Sequence, residues 1–381
     1  MRRKTHARWR IGALVGIAAL VVFLVWLKSR VASSIRRQEE AADPSGFPGF
    51  SVEIKPKLAF LFLARNRMPL DFLWQRFFEG AKDQEFSVYI HARPGFVYNK
   101  ETTDCIYFYN RQLPNSILVE WGEASMIEAE RLLLAKAFED SSNERFLLLS
   151  ESCVPLYSFT FIYEYLMASP KSFVDSFRDR KENRYNPVMA PVISRANWRK
   201  GSQWFVLLRN HAEAVARDQE IFLRFRDHCK RGALPEFWRE YSVSAYRQSG
   251  RNCVPDEHYV QTVLSIKGFD DELERRSLTY SLWKYAGRRK ERQGWHPVTF
   301  SDASMKLVRE IQAIDNIKFE TEGRVEWCSV AGDPRPCFLF GRKFTKAAGL
   351  KLLNMTLADD PDSVNLYHDK TRKKLPLVQS S

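Results

Sequence analysis

The feature that most constrains this chain is an apolar run, Leu58–Ala64 (LAFLFLA), that stops at Arg65-Asn66-Arg67. Beyond Pro69 follows an aromatic-rich segment, Leu70–Phe78, with helical spacing. A short run without polar alternation has to be buried on both faces, which reads as a strand inside a sheet. The alternation recurs in Phe86–Ala92 (FSVYIHA), in Ser116–Trp121 (SILVEW) before a helical Ser125–Phe138, and in Arg145–Leu149 (RFLLL) before a helical stretch around Phe159–Met167. Strands alternating with helices predict an α/β fold, a mostly parallel sheet with helices on both faces. In such sheets ligands collect beyond the carboxyl ends of the strands. Topology therefore gathers Arg65, Asn66, His91, Trp121 and Ser150 to Ser152 around one crevice.

Ahead of this body lies Ile11 to Leu27, seventeen apolar residues between basic clusters. At helical rise they span roughly 26 Å, enough to cross a bilayer, with Trp9 and Trp26 near the interfaces. Lys28-Ser29-Arg30 follows where a cleaved signal peptide would carry small residues, so an uncleaved anchor is expected. Five basic residues precede the span and four follow it closely, which tilts the orientation toward a type II protein. The predicted organisation is a cytoplasmic tail (1–10), a transmembrane signal anchor (11–27), a lumenal stem (28–57), a catalytic domain (58–353) and a polar C-terminal tail (354–381).

The formal charge of +13 invites a nucleic-acid reading, but the first 37 residues hold nine basic side chains and no acidic one. The other 344 residues carry only +4, so topology explains most of the charge and no nucleic-acid partner is expected. GxGxxG, GxxxxGK[ST], GxSxG and HExxH are absent, which removes the main support for dinucleotide, P-loop, hydrolase and zincin chemistry.

Six cysteines form no CxxC pair, so disulfides suit a lumenal body better than zinc. Proximity pairs Cys328 with Cys337 and Cys229 with Cys253, leaving Cys105 with Cys153; buried free thiols are the alternative. Asn354-Met355-Thr356 is the one glycosylation sequon.

Two constellations can carry chemistry. Cys253-Val-Pro-Asp-Glu-His-Tyr259 puts Pro255 at a first helical position and two acids in the first turn. On a helical wheel the apolar stripe centres near Asp256, Glu257 sits at its margin and His258 points away. Either acid can complement the helix dipole, or one can open into a cleft as a general base. The second constellation runs from Arg324-Val-Glu-Trp-Cys through Arg335 to Phe338-Leu-Phe-Gly-Arg-Lys-Phe344, where basic residues ending an apolar run suit a diphosphate. Asp360-Pro-Asp362, the only Asp-x-Asp, lies in the polar tail, where a metal site is not expected.

LAFLFLARNRMPLDFLW, VYIHARPG, FLLLSESCVPLYSF, RYNPVMAP…NWRKGSQWFVLLR, CVPDEHYVQTVL and RVEWC…FLFGRKF, in this order, resemble the core-2/I-branching β-1,6-N-acetylglucosaminyltransferases, glycosyltransferase family 14, and most closely the plant branch. The resemblance implies a GT-A-like fold and a Golgi type II membrane protein. It also implies inverting transfer of a sugar, of the N-acetylglucosamine or glucuronic acid class, from a UDP-sugar to a glycan or glycoprotein acceptor. It implies Glu257 as the base, Arg324 and Lys343 on the donor diphosphate, and no cofactor or metal. Arg65 and His91 are further donor-side candidates, and Arg184 and Trp204 acceptor-side ones. Where animal members read IHVD, this chain has Ile90-His91-Ala92-Arg93, so recognition of the donor can differ. The competing class is a membrane-anchored glycan-binding or scaffold protein that keeps the fold without turnover.

Overall fold

A computed structural model describes residues 55–178, 184–230, 253–283, 297–319 and 322–353. The expected anchor, most of the stem, Asn354 and Asp360-Pro-Asp362 lie outside the described residues.

The apolar run forms β1 (Lys57–Leu63) and is buried as its composition requires. After α1 (Asp71–Glu79) and β2 (Phe86–His91) come α2 (Ala124–Phe138) and β3 (Asn143–Ser150). β1 lies between β2 and β3, parallel to both, and Leu63 is level with His91 and Ser150. The carboxyl ends of all three strands therefore meet at one edge, which positions the crevice.

Alternate side chains of β1 enter two cores. Leu58, Phe60 and Phe62 pack with Trp74 and Phe78 on one face, while Ala59 and Leu61 pack with Ile127, Leu134 and Phe146 on the other. The first core is a lattice of rings in which Phe60 meets Phe78 edge-on at 5.1 Å and Phe62 meets Trp74 at 4.9 Å, the arrangement that aromatic quadrupoles favour. Helices thus cover both faces, as the continuous apolar runs demand.

β4 (Val154–Pro155), α3 (Phe159–Ala168), β5 (Ser172–Phe173), β6 (Val206–Leu208), α4 (Arg209–Arg217) and α5 (Glu220–His228) follow. A 3₁₀ turn (Pro255–Glu257) then leads through α6 (Tyr259–Ile266) to β7 (Leu273–Glu274). The six-stranded order is β2-β1-β3-β6-β5-β7, with β6 antiparallel to both neighbours and the other three ladders parallel. The sheet is parallel-rich and mixed, where the sequence alone suggested few exceptions.

A second sheet closes the crevice. It joins β4, β11 (Phe340–Arg342) and β8 (Thr279–Ser281), with β11 central. Leu156 N donates to Leu339 O at 2.9 Å and Phe344 N to Ser152 O at 3.0 Å. These bonds press the segment Phe340–Phe344 against the end of β3 and bring its basic residues to the crevice.

Three expectations are corrected. Ser116–Trp121 is a loop, not a strand. Both edges of β1 are already taken, and the loop's amides find other acceptors: Ile117 N donates to His91 Nε2 at 3.1 Å and Glu120 N to Ser125 Oγ at 2.9 Å. Its apolar residues face outward, with Leu118 71% exposed. The helix expected from Pro255 onward begins as the 3₁₀ turn and becomes α-helical only at Tyr259. Finally, Cys229–Cys253 and Cys328–Cys337 are bonded, whereas Cys105 and Cys153 are separate buried thiols.

Candidate active site

Pro255 fixes the start of the 3₁₀ turn, and the change of helix type there invalidates the wheel. Asp256 is turned into the protein, Glu257 stands in a cleft with 29% of its side chain exposed, and His258 is fully buried rather than pointing away. His258 stacks on Trp198 at 4.4 Å and its Nδ1 donates to Arg199 O at 2.7 Å. This bond ties the turn to Arg199-Lys-Gly-Ser-Gln-Trp204.

The same loop meets the turn through Gly201, whose N–H donates to Glu257 O at 2.9 Å. A Cβ on Gly201 would lie 1.6 Å from Asp175 O, so no larger residue fits there. Ser202 N donates to Asp175 Oδ2 at 3.1 Å, Gln261 Nε2 to Ser202 O at 2.8 Å, and Gln203 Nε2 to Glu130 Oε1 at 2.8 Å. The loop is thus stitched to β5, α6 and α2 on its way past the acid.

Glu257 is held by two cations. Arg184 Nη1 donates to its Oε2 at 2.6 Å, and Lys200 Nζ lies 3.9 Å from the same oxygen. No hydrogen bond from the described residues reaches Oε1. Beneath it, burial and then the neighbouring Glu257 charge push the Asp256 carboxyl up to about 7, and its Oδ1 has no partner. Burial and then Asp256 drive Glu130 well above the usual carboxylate range, and burial raises Asp175 to about 7 despite the Ser202 amide. Among these acids Glu257 is the one that is both open and ion-paired.

Basic residues share the cleft, which opens to solvent. Arg342, at the end of β11, lies over the Trp204 ring at 4.2 Å, and both line the cleft with Lys343, Asp256 and Glu257. Burial, then the adjacent Arg342, then Arg65, lowers Lys343 to about 8. Arg65 itself is exposed and leans toward Glu151, 3.9 Å from its Nε, while its backbone N–H donates to the same carboxylate at 2.7 Å.

The structure therefore brings together Glu257, Arg184, Trp204 and Lys343, with Trp121 also on the lining. It does not bring Arg324, His91, Arg65, Asn66 or Ser150 to Ser152 to that lining. Arg324, on β10 (Arg324–Trp327) against β9 (Asn316–Phe319), pairs with Glu322 at 2.6 Å and with Glu326, over the Phe319 ring at 4.0 Å. His91 is buried, driven down to about 4 by burial, and spent as the acceptor for Ile117. Arg184 meets the catalytic candidate directly. Lys200 is the residue that sequence reasoning passed over, and Arg342 lay in the basic run without being singled out. Each sits inside a quoted block, RKGSQWF and FLFGRKF, but neither motif shows that Lys200 faces the acid or that Arg342 faces the aromatic ring.

Among the described residues no group of three or more His, Cys, Asp or Glu is arranged to hold a metal ion. Residues 58–314 match the model of the Branch family, the core-2/I-branching enzymes. The chain is also 54% identical over 332 residues to glycosyltransferase BC10 of Oryza sativa subsp. japonica, spanning 86% of this chain and 81% of that relative. A cleft that sets a carboxylate beside basic side chains suits sugar transfer, and the chain belongs to the core-2/I-branching enzyme family as a glycosyltransferase.

Proposed function

We propose that the enzyme transfers a sugar of the N-acetylglucosamine or glucuronic acid class from a UDP-sugar to a hydroxyl of a glycan acceptor, with inversion and without a metal. The observation that carries this reading is one cleft holding an accessible, oriented carboxylate, Glu257, and a lysine, Lys343, that makes no ion pair with the described residues. Glu257 takes the proton of the acceptor hydroxyl as its oxygen bonds to the anomeric carbon. The bond from that carbon to the diphosphate oxygen breaks on the far side, and UDP departs with the electron pair. A single displacement inverts the anomeric centre. Lys343 offsets the charge that grows on the leaving group, as a positively charged group does in other phosphate sites. Arg184 and Lys200 fix the rotamer of Glu257, which matters because a base acts only within hydrogen-bond reach. Asp256 is the weaker candidate for base, since its carboxyl is buried.

The basic-flanked apolar segment at 11–27 and the two disulfides support a Golgi type II membrane protein with this domain in the lumen, an oxidising compartment. Glu257→Gln keeps the shape of the side chain and removes its basicity. Transfer is expected to fall by about 10² to 10⁴ with UDP affinity unchanged, the usual contribution of a general base. Transfer at the unaltered rate would remove Glu257 from the role. For the metal, EDTA is expected to leave the rate intact; loss with EDTA and recovery with manganese would contradict a metal-free reaction.

A further inference from the structure

We infer that Arg342, held flat on Trp204, is the second cation that grips the donor diphosphate, beside Lys343. The inference rests on the donor reading above and specifies which arginine serves it. Three observations carry it. Arg342 and Lys343 line the same cleft, and the Arg342 guanidinium makes no hydrogen bond or ion pair with the described residues; its Nε is buried without a partner. Lys343 likewise has no ion pair there. By contrast Arg324, the other arginine of the region, is already neutralised by Glu322 and Glu326.

An arginine packed into a protein without an anion is costly unless something else stabilises it. Here the Trp204 face, 4.2 Å from the guanidinium carbon, supplies a cation–π contact. It occupies the flat face of the guanidinium and leaves the N–H edge for a ligand in the plane, the fork that matches two oxygens of a phosphate. The nearby acids do not fill the role. Asp256 is the acid whose charge acts on Arg342, and burial pushes that carboxyl up to about 7, so its negative charge is weak near neutrality. Two adjacent cations that line one cleft and make no ion pair with the described residues mark a place for an anion carrying more than one charge. In a UDP-sugar that is the diphosphate.

Trp204, expected on the acceptor side, is on this reading a positioning residue for the donor. Arg342 would act both on binding and on departure, because the β-phosphate gains charge as the sugar leaves.

The test is titration of the full-length chain, in detergent, with UDP and with uridine. Arg342→Ala is expected to weaken UDP about 10- to 100-fold, the range for a lost charge-assisted hydrogen bond, and to leave uridine binding unchanged. Arg342→Lys keeps the charge without the fork and should recover only part of the affinity, which guards against a misfolded alanine variant. Arg324→Ala should bind UDP as the unaltered chain does. UDP affinity unchanged in both Arg342 variants would overturn the assignment, as would an equal loss for uridine, which would make Arg342 a packing residue. UDP that fails to bind the unaltered chain would instead overturn the donor reading itself.

Discussion

The two charged clusters of the cleft differ in how far the protein satisfies them by itself. Glu257 arrives with partners already in place, Arg184 at 2.6 Å and Lys200 at 3.9 Å, and its backbone is pinned by Gly201. Among the described residues Arg342 and Lys343 make no ion pair; Arg342 lies on an aromatic face, and Glu151 is the nearby acid that favours the charge on Lys343. A base must be aimed before its substrate binds, so its side chain is fixed by permanent contacts. A diphosphate clamp has to gain more from the ligand than it loses by giving up protein partners, so its cations stay uncommitted. The lowering of Lys343 follows the same contrast: burial and then Arg342 disfavour its charge, and an incoming anion would relieve the penalty.

That contrast can be strained from either side. The largest effect is expected at the pinned acid. Gly201→Ala forces a methyl group to 1.6 Å from Asp175 O, which only a backbone shift relieves, and the shift carries Glu257 with it. Urea unfolding should show a loss of about 1–3 kcal/mol, the usual cost of overpacking, and a transfer rate lowered at least tenfold. An alanine variant with full activity would mean that the Gly201 contact does not aim Glu257.

A smaller effect belongs to the uncommitted pair and is read through pH. Lys343 has its folded value near 8 against an ordinary 10.5. Donor affinity needs the charged form, so it should hold below pH 8 and fall above it, by at most about tenfold per unit. Lys343→Arg stays charged throughout and should remove that fall. For the empty protein the stability sign is opposite to that of a favourable pair. Between about 8 and 10.5 the unfolded chain retains a proton that the folded chain has released, so the penalty at Lys343 is full below 8 and fades as pH rises. An affinity profile that is flat in the unaltered enzyme from pH 7 to 9 would break the link between Lys343 and the donor.

How much of this was legible in the sequence differs by region for physical reasons. β1, β2 and β3 are buried on both faces, so their runs of Leu, Phe and Ile announce themselves, and α1, α2 and α3 follow at helical spacing. SILVEW fails because apolar composition does not provide a neighbouring strand; its amides went to His91 and Ser125 instead. At the site, PDEHY exposed the pair of acids but not which one opens to the cleft, since a 3₁₀ turn rotates side chains differently from the α-helix that Pro255 suggested. The resemblance supplied Glu257 and Lys343, and the fold puts both in one cleft. Arg324 and Arg342 are indistinguishable as basic residues near an apolar run. Only the tertiary pairings, Glu322 and Glu326 for one and Trp204 for the other, separate them. Cysteine proximity succeeded across short separations of 9 and 24 residues and failed for Cys105 and Cys153, whose positions are set by different elements of the core.

The most direct test of the contrast is a crystal structure of the enzyme with UDP bound. The account predicts diphosphate oxygens at hydrogen-bond distance, about 2.8 Å, from both the Arg342 guanidinium and Lys343 Nζ, with Arg184 still on Glu257. A diphosphate seated on Arg184 and Lys200 with Glu257 displaced, or one bound at Arg324, would contradict it.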